Sequence, residues 1–254
     1  MTNNIRVHTL KIMTIIAAIL GCLLRSYLYA SAIDRKGLLI SGHWATLGLI
    51  GLTVLFLAGL VLLARNPEEE LDYWDCFTPS IWRCCGSLMA ATAILLRTLW
   101  SNTSLTAYVD KITVLFGVAA AIGLLIASFA FLSGSKPSFL CHSAVSIYFA
   151  LQMVAHYRQW SADPQLMDYF YYVAAFICLM LSAYFLTQFH VNPFSHRALW
   201  ISAMAAVYFC VVAIPESGDT TFLLLCAIWA FTCLPQMEVK HRRQRPAMEF
   251  DEEF

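Results

Sequence analysis

Apolar residues in this chain gather in long runs, without the three-to-four-residue spacing of soluble helices or the alternation of strands. Four runs carry no charged residue: Trp44–Ala64, Ile112–Leu132, Tyr169–Phe189 and the slightly shorter Ala198–Ile214. At about 1.5 Å per residue, roughly 20 apolar residues cross about 30 Å of hydrocarbon. Ile12–Ala30 (holding Arg25), Cys84–Trp100 (holding Arg97) and Phe139–Trp160 (holding His156 and Arg158) cross once a polar residue near an end is accepted. Thr220–Met237, interrupted by Pro235 near its exit, makes the eighth. Backbone polar groups find no partner in lipid, so each run is predicted to be a helix, and the lack of alternating segments excludes a β-barrel. The expected fold is an all-α polytopic transmembrane bundle of about eight spans, near 8–30, 43–64, 82–100, 110–132, 139–160, 168–190, 196–214 and 219–237. Residues 1–237 form one transmembrane domain and 238–254 a short charged cytoplasmic tail.

Punctuation between the runs fits this division. Asn66-Pro67, Ser133-Gly134-Ser135-Lys136-Pro137, Asp163-Pro164, Asn192-Pro193 and Pro215-Glu216-Ser217-Gly218-Asp219 are turn signals, with Ser41 and Asp219 as candidate N-caps. Trp44, Trp82, Trp100, Trp160 and Trp200 fall at predicted helix ends, where indoles favour the membrane interface.

Composition agrees: 60% of the 254 residues are hydrophobic and 13% charged, with mean hydropathy +0.67. Too few polar residues remain to cover a soluble surface, whereas a lipid-facing surface needs none. Sixteen basic and sixteen acidic residues cancel, which gives no footprint for nucleic acid. Most of the nine cysteines lie in or beside apolar runs and none forms a Cys-x-x-Cys pair, so packing thiols are expected and neither a metal nor a cofactor. Lys and Arg set the orientation. With the N-terminus inside, ten fall on the cytoplasmic side, Arg83 and the tail cluster Lys240–Arg245 among them, and six outside. This places the chain in the cell membrane as a multi-pass protein with both termini cytoplasmic. Arg25, between the first apolar stretch and Ala30-Ser31-Ala32, counts against cleavage of the first helix as a signal peptide.

Candidate chemistry collects in one layer. Arg25 and Arg97 both sit roughly 20 Å along their helices, in the outer third of the membrane. Charges at such depth commonly face a bundle interior, a partner or water. The functional reading is an outward-open cleft holding both arginines, with Asp34, His43, His156, Tyr157 and Glu216 as further candidate ligand-binding residues and an anion as the ligand. The competing reading is snorkelling of each Arg to nearby headgroups. In Asp34-Arg35-Lys36-Gly37-Leu38-Leu39-Ile40-Ser41-Gly42-His43, a neutral His43 opening the second helix has a ring nitrogen free to accept a hydrogen bond. Cys141-His142 has no third metal ligand in sight. Leu24-Arg25-Ser26-Tyr27, Leu96-Arg97-Thr98-Leu99-Trp100-Ser101 and Tyr157-Arg158-Gln159-Trp160-Ser161 share an Arg–aromatic–Ser helix end, either a two-helix repeat or ordinary interface composition.

The Arg25 helix end, Asp34, Gly37-Leu38 and Gly42-His43 before a second span resemble uncharacterised bacterial multi-pass membrane proteins of about eight helices. The likeness covers about the first 65 residues and the general span pattern, and it implies a fold but no activity. Two function classes carry equal weight: a small-molecule or anion binding or transport module, and a partner-dependent subunit or sensor-like scaffold serving an unidentified membrane or cytoplasmic protein. A lipid-headgroup enzyme with His43 or His156 as base ranks below both, because no nucleophile, base and orienter come together in the sequence. The direct contact common to all three is the lipid bilayer.

Overall fold

Segments that must satisfy their own backbone in lipid have one economical solution, and each apolar run does fold as an α-helix. The structure, a computed structural model, describes residues 3–31, 43–64, 70–71, 79–100, 108–160, 169–191, 194–215 and 218–233. Its helices are α1 (Asn3–Ser31), α2 (Trp44–Leu63), α3 (Ile81–Trp100), α4 (Tyr108–Ser133), α5 (Phe139–Trp160), α6 (Phe170–Val191), α7 (His196–Ala213) and α8 (Thr220–Thr232). Five of them, α1, α2, α4, α5 and α6, are long and apolar enough to cross a membrane. Their outward faces carry Leu55, Leu62, Leu115 and Phe129, each about two-thirds exposed or more, as expected where lipid replaces water.

The helices associate as an unbroken cycle with one appendage. α3 packs on α4, α4 on α5, α5 on α6, α6 on α7, α7 on α8, and α8 returns to α3. The α1–α2 hairpin lies outside this cycle, α1 against α7. α7 therefore has neighbours on most sides, and nearly every residue from Leu199 to Ala213 is buried. Small residues permit the closest approaches. A Cβ on Gly123 of α4 would come within 2.8 Å of the Cys141 carbonyl oxygen of α5. The turn at Ser133–Pro137 forms as expected, with Gly134 at φ 72° and the Ser135 amide donating to the Ala130 carbonyl.

Several details depart from the sequence reading. The eighth helix is described over Thr220–Thr232 with Cys233 as C-cap, and residues 234–237 of the expected span lie outside the described residues. Its 13 described residues extend about 20 Å. A two-residue antiparallel pairing, Glu70–Leu71 (β1) with Phe194–Ser195 (β2), joins the connection after α2 to the one after α6. His43 is the N-cap of α2, its Nδ1 accepting from the Ala45 amide at 3.3 Å, while Ser41 lies outside the described residues. Trp44, Trp82 and Trp100 are well exposed, but Trp200 is buried in the core, so a tryptophan near a helix end is not always an interface residue.

Candidate functional site

The interior of the six-helix cycle is layered along its axis, and α5 shows the layering best. His142, Val145, Phe149, Gln152 and His156 recur at three- and four-residue intervals and so share one face. The two histidines are fourteen positions apart, or about 21 Å. Between them Phe149, Phe176, Phe222 and Trp229 form a plug. Ring centroids are 6.0 Å apart for Phe149–Phe176, 6.3 Å for Phe149–Trp229 and 6.1 Å for Phe176–Phe222.

Above this plug lies a polar cluster drawn from four helices. Arg97 of α3 directs Nη1 at Oδ2 of Asp219, 2.9 Å away. That approach is an ion pair by distance but not an aligned hydrogen bond. Nη2 donates to Nε2 of His156 on α5 (2.7 Å) and to the hydroxyl of Tyr172 on α6 (3.0 Å). A guanidinium has no acceptor, so Nε2 of His156 is the acceptor here. The Tyr172 hydroxyl donates onward to Oδ2 of Asp219 at 3.0 Å. The guanidinium carbon stands 4.4 Å from the centroid of Phe222, an arrangement in which a cation is held by the ring face. Arg97 is 13% exposed and Asp219 45%, so the cluster is sealed on its Arg side and open on its carboxylate side.

Arg25 is held elsewhere and differently. It is 3% exposed, and its guanidinium lies 4.5 Å from the Tyr171 ring centroid and 5.5 Å from that of Tyr29. Thr53 of α2 is 2.8 Å from the Tyr208 hydroxyl and 3.1 Å from that of Tyr171, so one threonine ties α2 to both α6 and α7. Tyr171 and Tyr172 are neighbours on α6, but successive helical residues point about 100° apart. One turns to Arg25 and the other to Arg97. The expectation of a single cleft holding both arginines is therefore corrected: equal depth on two helices left their directions undetermined.

The remaining candidates separate in the same way. His156 joins Arg97 as expected. Tyr157, one residue on, points outward and is 58% exposed. His43 caps α2 and lies beside Tyr27 and Trp44. Asp34 and Glu216 lie outside the described residues. Sequence reasoning passed over Tyr172, which sits inside an apolar run, and took Asp219 only for an N-cap. It holds that position on α8, yet its side chain accepts nothing from the helix it begins. The available signal was a carboxylate closing the Pro215-Glu216-Ser217-Gly218-Asp219 turn, directly before an apolar run.

At the opposite end, His142 is fully buried and its ring stacks on His190 at 5.0 Å. Arg83, counted in the sequence among the cytoplasmic-side charges, is 2% exposed. Among the described residues, no group of three or more His, Cys, Asp or Glu is placed to hold a metal ion, and the eight described cysteines are free thiols. No family model, characterised relative or solved structure matches this chain.

Proposed function

We propose that this protein is a membrane-embedded binding or transport module for a small oxyanion, received at the Arg97 layer. The observation carrying this reading is the Arg97 guanidinium itself. It is buried inside a helix cycle, oriented by His156 and Tyr172, and compensated by a carboxylate that is open to one side. A planar guanidinium fixed by neighbours recognises carboxylates and phosphates with two-point geometry that lysine cannot reproduce. The aromatic plug beneath it separates this layer from the far end, as a transport path requires of a closed state. In the cell membrane, the excess of Lys and Arg on the N- and C-terminal side puts both termini in the cytoplasm and the Arg97 layer toward the outside.

Calorimetric titration of the detergent-solubilised protein with phosphate, sulfate and acetate at fixed ionic strength tests the binding step. Saturable heat is expected for at least one anion, weakened in Arg97→Lys and absent in Arg97→Leu. Heat that is unchanged in Arg97→Leu refutes the assignment. For orientation, a reporter active only in the cytoplasm is expected to be active when fused after Phe254, and activity from one that works only outside reverses it.

A further inference from the structure

Asp219 occupies a position from which two partners compete for it. Its place is the N-cap of α8, where an aspartate ordinarily accepts from the amides of the first turn. Here it makes no such bond, and its backbone, at φ −104° and ψ 36°, is not in the extended conformation usual for an N-cap. The carboxylate is directed instead to Arg97 and Tyr172. The guanidinium thus already holds an oxyanion, one supplied by its own chain. An incoming ligand that uses the same face must displace it.

Three features make displacement inexpensive. The Arg97–Asp219 contact is not an aligned hydrogen bond. Asp219 is nearly half exposed, and a Cβ on the preceding Gly218 would meet nothing within 4 Å, so the segment has room to turn. The released carboxylate also has a destination in the first amides of α8, whose positive end favours an anion. α8 carries Phe222 across the guanidinium, so a change at its first turn also changes the cover of the site.

We propose that Asp219 is an internal competitor that a compact ligand oxyanion, carboxylate or phosphate, displaces from Arg97, and that it then re-seats as the N-cap of α8. This rests on the anion-binding reading above and adds to it a ligand-operated latch. The competition also restricts the ligand: a neutral or cationic molecule cannot replace a carboxylate on a guanidinium.

The test compares the full-length parent with Asp219→Asn and Asp219→Ser, titrated with inorganic phosphate and separately with acetate. Hydrogen exchange over residues 220–223 is followed in parallel. Both variants retain a side chain able to cap α8 but lack the competing charge. They are expected to bind anion at least about tenfold more tightly than the parent, a loss of competition of about 1.4 kcal/mol or more. In the parent, anion is expected to slow exchange at 220–223 as the cap forms. In the variants, that segment is expected to be slow already and insensitive to anion. Binding in parent and variants of equal strength overturns the latch and leaves the anion reading standing. Binding in neither parent nor variants overturns both. A variant that binds tightly where the parent shows nothing supports the latch, because the parent then masks its own site.

Discussion

Two arginines near the ends of α1 and α3 show how differently one protein can settle the same sequence signal. Each closes an apolar helix at similar depth, and each is withdrawn from lipid. Arg25 is enclosed by tyrosine rings, with the Thr53–Tyr171–Tyr208 hydroxyl group beside it. Arg97 meets a carboxylate, an imidazole and a hydroxyl, with one side open. The first arrangement fastens the α1–α2 hairpin to the cycle. The second presents a guanidinium whose carboxylate partner is nearly half exposed. What the structure describes at each differs in the neighbour: α8 brings the Asp219 carboxylate to Arg97, and Tyr171 and Tyr29 bring ring faces to Arg25.

The largest effect that sharpens this contrast is expected from Tyr171→Ala. It removes the ring beneath Arg25 together with the hydroxyl that holds Thr53. Loss of a buried aromatic of this size costs about 3 kcal/mol or more. Unfolding by SDS titration in mixed micelles measures it, and the anion response at Arg97 is expected to survive. Asp219→Ala comes next, at about 1–3 kcal/mol, because it leaves Arg97 charged, mostly buried and without its counter-ion. Here added phosphate is expected to restore most of the loss, whereas no anion restores Tyr171→Ala. Restoration of both, or of neither, removes the distinction between the two sites.

How much of this was readable beforehand can be judged from α5 and α6. Run length and charge placement located six of the helices to within about two residues at both ends, since hydrocarbon thickness fixes that length, whereas α1 begins at Asn3, five residues before the expected span. The start of α8 at Thr220 also matched, and the end of its expected span, 234–237, lies outside the described residues. Arg97 and His156 were legible as an unusual pair of polar residues inside apolar runs. Their partner Tyr172 was not, since an aromatic within a span reads as packing until its hydroxyl is seen to point at a charge. The separation of Arg25 from Arg97 depended on the order of helices around the bundle, which no single segment encodes.

Smaller effects are expected at the hydroxyl groups that line the two clusters. Thr53→Val is expected to cost about 1–2 kcal/mol, since one hydroxyl serves two tyrosines, and to leave anion binding intact. Tyr171→Phe and Tyr172→Phe are each expected to cost about 1 kcal/mol. Although adjacent in the chain they serve different clusters, so the double variant is expected to equal their sum within about 0.5 kcal/mol. A larger coupling energy would mean that the Arg25 cluster and the Arg97 site act as one unit.

The central claim is that Arg97, and not Arg25, receives an anion. A thermal-shift series with phosphate, sulfate and acetate at constant ionic strength, run side by side on the parent, Arg25→Leu and Arg97→Leu, tests it most directly. Saturating anion stabilises a binding-competent fold by about 2.7 kcal/mol at a hundred times Kd, which is readily seen as a rise in Tm. The expected result is that this rise appears in the parent and in Arg25→Leu and is absent in Arg97→Leu. A parent that no anion shifts, or a shift that Arg97→Leu retains, contradicts the account.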